Sequence, residues 1–289
     1  MVTKMKDAIK LLRSSSWSAK LGLAIIALNI FCALFAPVLA PYNETELAGD
    51  VWEPPIWSEY AMPHDTPVIL GTDHIGRDLF SRLMFGARNT ITLAFVTTAI
   101  AFFVGSVGGF IAATLKGWVD QTLSRMVDIL MAFPTLILAL VILTVMGTSI
   151  PVLVFVIALI DSTRVFRISR AVAMDIEVME YVDAARLRGE GLWWVMKEEI
   201  LPNALSPLVA EFGLRFCFVF LFISSLSFLG LGLQPPLADW GGMVRENSSA
   251  ISFGILTPLI PAAAIAFLTV GVNLVVDWLL HKASGIKDV

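Results

Sequence analysis

Residues 89–115 read NTITLAFVTTAIAFFVGSVGGFIAATL, 27 residues in a row without an ionisable side chain. A helix needs about 20 mostly apolar residues to cross about 30 Å of hydrocarbon, so this stretch is long enough to span a membrane. Along it Ala101, Gly105, Gly109 and Ala113 recur at every fourth position. Small residues at that spacing share one helix face and let another helix come close. Tight packing, within the chain or against a partner subunit, explains this ridge without any further function.

Working outward, five more apolar segments appear, at about 21–40, 129–146, 150–165, 207–233 and 253–280. The expected fold is therefore all-α: a polytopic membrane protein with six transmembrane helices. The segment 21–40 exceeds the 7–15 apolar residues typical of a signal peptide, and Pro41 follows it, so it reads as a retained helix. Pro134 in the third segment, and Pro258 and Pro261 in the sixth, are expected to kink those helices. Trp17, Trp118, Trp240 and Trp278 fall near segment ends, as an interfacial aromatic belt would place them.

Composition agrees. Hydrophobic residues make up 57% of the 289 and charged residues 15%, with a mean hydropathy of +0.81. Ordinary soluble domains carry about 25% charge. A disordered chain and a soluble enzyme are excluded, and a net charge of −4 gives no basic footprint for nucleic acid.

The positions of the charges set the direction. With residues 1–20 placed in the cytoplasm, fifteen Lys and Arg fall on the inside and four (Arg77, Arg82, Arg88, Arg245) on the outside. Both termini are thus expected to be cytoplasmic. The parts are an N-terminal segment 1–20, a first helix 21–40, an extracytoplasmic loop 41–88, a five-helix core 89–280 and a tail 281–289. Within the loop, residues 41–76 hold seven acidic residues, five prolines and no Lys or Arg.

The sequence limits the chemistry. Cys32 and Cys217 both lie in apolar runs and suggest no disulfide framework. His64, His74 and His281 are scattered, so no metal or other cofactor is expected. No GxxxxGK[ST] phosphate loop is present, so an ATP-driven role requires separate motor subunits. Asp128, Asp161, Glu211, Arg215 and Asp277 are expected near cytoplasmic ends of spans, leaving every span centre uncharged. A proton- or sodium-coupled carrier commonly needs carboxylates near the midplane. Glu211 and Arg215 are four residues apart and can pair. The sharper expectation is that they line a translocation path.

The most polar stretch, about 177–205, contains Glu180-Tyr181-Val182-Asp183-Ala184-Ala185-Arg186-Leu187-Arg188-Gly189. Met179, Val182 and Ala185 or Arg186 share a helical face. Ala184 and Ala185 leave a low surface that another backbone can approach, and Gly189 suits a helix C-cap. Leu192, Val195 and Met196 mark a second amphipathic piece, expected to end at Pro202. Two short helices with a hinge would make a rigid elbow.

This stretch resembles the "EAA" loop of ABC importer permeases. Asp183-Ala184-Ala185, Gly189, Leu201 and Pro202 match that pattern; Asp183 stands for its Glu, and Glu199 fills an Ile slot next to Ile200. Three further stretches resemble the C-type permeases of dipeptide and oligopeptide importers. They are Leu70-Gly71-Thr72-Asp73-His74-Ile75-Gly76-Arg77-Asp78-Leu79-Phe80-Ser81-Arg82, Val127 to Pro134, and Phe228 to Pro236 with Trp240-Gly241.

The resemblance implies a type I importer permease of the bacterial inner membrane, not itself an enzyme. It would work with a second homologous permease, two ATP-binding subunits and an extracytoplasmic solute-binding protein. Tyr181, Asp183, Ala184, Ala185, Gly189, Leu201 and Pro202 would meet the ATPase. Asp73, Arg77, Asp78 and Arg82 would either contact the binding protein or form an internally paired segment. Peptides are the default cargo, although related permeases carry nickel chelates, glutathione, opines or sugars. A stand-alone channel or secondary transporter is the alternative.

Overall fold

The computed structural model describes residues 16–63 and 68–283. Most of the expected N-terminal segment 1–20, most of the tail 281–289, and His64 lie outside the described residues. The described residues are helical, with only two isolated β-bridges, Leu47–Arg77 and Thr72–Asp78. The chain divides into two units, Met1–Ala94 with Phe220–Val289, and Phe95–Val219.

In the first unit, α1 (Trp17–Leu39) starts where the Ser16 hydroxyl accepts the Ala19 amide at 3.3 Å. It packs on α9 (Leu259–Ala283). A side-chain carbon on Gly22 would come within 2.6 Å of the Gly271 carbonyl oxygen, so glycine sets the distance between the two helices. The second long helix, α2 (Leu79–Leu115), begins ten residues before the apolar run at Asn89. Asp78 explains the early start: its carboxylate accepts the Ser81 amide at 2.7 Å, as a helix cap does. Further on, α8 (Trp240–Glu246) is capped by Asp239, which accepts the Gly242 amide at 3.1 Å. A 3₁₀ turn, Ser248–Phe253, follows.

The expected kink at Pro258 and Pro261 is absent. Pro258 precedes α9 and Pro261 lies in its first turn, where a missing N–H leaves no helical bond unmade.

In the second unit, α3 (Gly117–Met131) and α4 (Thr135–Met146) meet at an 85° bend at Pro134. The expected third segment is thus two helices rather than one kinked helix. The next helix, α5 (Ile150–Glu177), runs twelve residues past its apolar part. The small-residue ridge of α2 faces it. A side-chain carbon at Gly105 would lie 2.6 Å from the Ser162 carbonyl oxygen, and one at Gly109 would lie 2.8 Å from the Arg170 amide.

After α6 (Glu180–Leu187) the chain turns helical again at Leu192–Trp194, passes through a π-helical turn Val195–Ile200, and continues as α7 (Leu201–Phe228). Pro202 therefore does not end the second piece of the elbow. The Leu201 amide bonds the Met196 carbonyl, five residues back. That wider register lets the helix pass a residue that has no N–H of its own.

Among the described residues, four helical stretches can cross a membrane by length and composition: Trp17–Leu39, Leu79–Leu115, Leu192–Phe228 and Leu259–Lys282. There are five if the bent pair α3–α4 is one span.

Candidate functional site

Among the described residues, three clusters hold the candidate side chains, two in the second unit and one in the first. The elbow is built on an apolar base. Val182, Ala185, Val195, Met196 and Ile200 are buried and join Phe110, Ala113, Ala173, Ala204 and Leu208 in one core. Burying that face leaves the opposite face outward. Tyr181 is 40% exposed and Leu187 89%, and Asp183 and Ala184 are exposed beside them. Met179 and Arg186, assigned by spacing to the apolar face, are exposed instead.

The helix ends as its sequence requires. Gly189 has φ +84°, its amide bonds the Arg186 carbonyl at 2.9 Å, and the Glu190 amide bonds the Ala185 carbonyl at 3.2 Å. This is the two-bond glycine cap that stops an α-helix. No atom lies within 4 Å of where a side-chain carbon would sit, so backbone conformation, not space, demands the glycine.

Glu177, not singled out by the sequence, fastens the elbow from beneath. It is 3% exposed, and its carboxylate contacts Lys116 Nζ and Arg186 Nη1, each at 2.6 Å. Two further pairs brace α5 against α3: Arg170 with Asp120 at 2.5 and 2.6 Å, and Arg167 with Asp128 at 2.6 Å. Spans cannot be paired from one sequence without knowing which helices adjoin, so these contacts were not legible there. Leu201 and Pro202 lie exposed at the start of α7.

The second cluster contains Glu211 and Arg215. Arg215 Nε lies 2.7 Å from Glu211 Oε1. Its Nη1 lies 3.6 Å from Asp161 Oδ1 on α5. Arg164 and Arg215 both lie over the Phe218 ring, 4.2 and 5.6 Å from its centroid. Asp161 and Arg215 lie in the interior of α5 and α7 rather than at their ends, because these helices differ in extent from the apolar runs. Arg215 is closely paired with Glu211, whereas its contact to Asp161 is long. Elsewhere in this unit a groove of about 610 Å³ runs between α2 and α7, lined by side chains such as Phe102, Phe103, Met196, Leu205 and Phe212. It is apolar and suits hydrocarbon rather than a charged solute.

The third cluster lies in the first unit. Asp73, Arg77, Asp78 and Arg82 are buried, each 5% exposed or less. Asp73, Arg77 and Arg82 meet one another and Glu246 of α8, while Asp78 caps α2. Asp73 Oδ2 accepts from Arg77 Nε at 2.7 Å and Arg82 Nη1 at 2.5 Å, and Glu246 Oε2 accepts from the same two arginines at 2.9 and 2.7 Å. Burial would raise the Asp73 pKa, but the Arg77 and Ile75 amides and the charges of Arg82 and Arg77 outweigh it and hold the carboxyl below its ordinary value.

Asn247, also not singled out by the sequence, joins the segments that carry Trp52 and His74. Its side-chain oxygen accepts the His74 amide at 3.0 Å and the Trp52 indole N–H at 3.3 Å. Asp73, His74 and Glu246 each bring a ligand atom within 4.8 Å of the others, as a cation site would. Two guanidinium groups already occupy those carboxylate oxygens, and a cation would have to displace both. The set is an ion-pair network that anchors a loop.

With this geometry in view, comparison with known proteins identifies the class. Residues 105–282 match the family of binding-protein-dependent transport system inner membrane components, and residues 4–55 match the N-terminal membrane domain of oligopeptide transport permease C. The chain belongs to this family of membrane permease subunits.

It is 34% identical over 259 residues to a di/tripeptide transport system permease of Pseudomonas aeruginosa, covering 89% of this chain and 84% of that one. It is 30% identical over 238 residues to a glutathione transport system permease of Pectobacterium atrosepticum, covering 77% and 79%. Its fold is similar to a crystal structure of an amino acid ABC transporter with histidines, with a TM-score of 0.52 and 19% identity, covering 70% of this chain and 94% of that one.

Proposed function

We propose that this chain is the permease subunit of an ATP-driven importer of di- or oligopeptides. It would pair with a second, homologous permease, two ATP-binding subunits and an extracytoplasmic solute-binding protein. Six spans with both termini inside are part of this reading. They require the bent pair α3–α4 and helix α5 each to cross the membrane once.

One observation carries it: an elbow whose apolar face is locked into the core while Tyr181, Asp183, Ala184 and Leu187 stay outside. A lever needs a fixed base and a free face. ATP-driven closure of the motors would push on that face around the Gly189 turn and move α7, with which the elbow is continuous. Leu201 and Pro202 would carry the push into α7. Glu211 and Arg215 would line the path. Asp73, Arg77, Asp78 and Arg82 would serve the binding protein indirectly, by fixing the loop that meets it. The names of the relatives support peptides, including glutathione, as cargo. A stand-alone channel or secondary transporter leaves the exposed elbow face without a use.

The test is reconstitution in vesicles. Uptake of a dipeptide against its gradient should require ATP, both ATPase subunits and the binding protein. Uphill uptake by the permease pair alone would refute the reading.

A further inference from the structure

Asp161 presents a problem of physical chemistry. Its side chain is 1% exposed, and neither carboxylate oxygen makes a hydrogen bond. Its ion-pair contact, 3.6 Å to Arg215 Nη1, is too long to be one. A buried carboxylate in that condition is costly, because desolvation is offset only by well-formed hydrogen bonds. The groups around it carry both signs. Arg215 is held at 2.7 Å by Glu211, and Arg164, half-buried, reaches the Thr135 hydroxyl at 3.3 Å and lies over Phe218. Two carboxylates and two guanidinium groups thus share one place in the second unit, with a net charge of zero.

We propose that Asp161, Glu211, Arg164 and Arg215 form a transient binding site for a zwitterionic solute, Asp161 receiving its ammonium group and the two arginines its carboxylate. This rests on the peptide-importer reading and extends it to the form of cargo that the permease itself accepts. The charge count selects the class. A metal cation or chelate of net positive charge would be repelled by two guanidinium groups, and an anion by two carboxylates. A solute with one charge of each sign can replace the long Asp161–Arg215 contact with two charge-assisted hydrogen bonds and leave no group unpaired. The loose contact is what makes the exchange reversible, as a translocation site requires.

The test uses the complex of both permeases and both ATP-binding subunits in detergent, without the solute-binding protein, and three probes: Ala-Ala, N-acetyl-Ala-Ala and Ala-Ala-amide. Direct binding to the unmodified complex should favour Ala-Ala at least tenfold over either blocked form. Asp161→Asn should weaken Ala-Ala about tenfold yet leave N-acetyl-Ala-Ala unchanged, since that probe has no ammonium to lose. Arg164→Gln should leave Ala-Ala-amide unchanged for the matching reason. If Asp161→Asn does not assemble, the Arg164→Gln comparison and the three probes on the unmodified complex decide the matter.

Equal binding of the three probes, no binding of any, or an equal loss for all three in each variant would overturn the site. The equal loss is what a purely structural ion pair would give. Stimulation of ATP hydrolysis by the loaded binding protein, measured in the unmodified complex, reports separately on the importer reading.

Discussion

Two segments carry the strongest family-like motifs, and the structure uses them in opposite ways. In residues 180–189 the motif side chains Tyr181, Asp183 and Ala184 point outward, whereas Ala185, expected with them to meet the ATPase, is buried beside Val182 in the core. In residues 71–82 the motif side chains Asp73, Arg77, Asp78 and Arg82 are themselves buried, and residues such as Ile75 are exposed. A recognisable motif therefore does not say whether its residues meet a partner or hold a fold. Burial decides, and burial follows from what lies on the other face. The elbow has an apolar stripe to sink, whereas residues 71–82 have charges that find partners in Asp73 and Glu246.

Substitutions can break or sharpen this contrast. The largest stability effect is expected at Arg82. Arg82→Ala leaves Asp73 and Glu246 to share Arg77 in a buried setting, which should cost about 3 kcal/mol or more. Leu187→Ser on the exposed face of α6 should cost less than about 0.5 kcal/mol while impairing uptake. Thermal unfolding of the purified protein beside vesicle uptake checks both. Equal stability losses would erase the distinction between the segments.

A smaller effect lies in pH. Burial, helped by the charge of Glu246, pushes the Asp239 pKa up to about 6. The folded state then holds a proton that the unfolded chain, with an aspartate near 4, releases. This contribution is full below about pH 4 and is lost as pH rises through about 6. Lowering pH from 7 to 5 should therefore stabilise the protein by about 1 kcal/mol through this group. Asp239→Asn can keep its cap on Gly242 and should abolish that gain. Asp73 has the opposite sign: its lowered pKa adds stability above the ordinary aspartate range and loses it only as pH falls below about 4. It should not contribute between pH 7 and 5.

Much of this was legible in the sequence. The apolar runs located α1, α2 and α9, and the four-residue ridge from Ala101 to Ala113 marked a packing face that α5 occupies. Gly189 was legible because a left-handed cap has few other occupants. Three features were not. Helix α5 extends past Val165 because Arg167 and Arg170 find carboxylates on α3, a long-range pairing that local hydropathy does not encode. Pro202 is passed rather than obeyed, since a π-helical turn removes the clash. Arg77 and Arg82 look like a contact patch until Glu246, far along the chain, is seen beside them.

The central claim is mechanical: the elbow passes force from an external motor through the Gly189 turn. Proline cannot adopt φ +84°, so Gly189→Pro should destroy the turn while leaving the apolar helices intact. The decisive measurement is ATP-driven dipeptide uptake by the reconstituted Gly189→Pro complex, with membrane insertion confirmed beside it. The account expects normal insertion and no uptake. Uptake at the unmodified rate would contradict it.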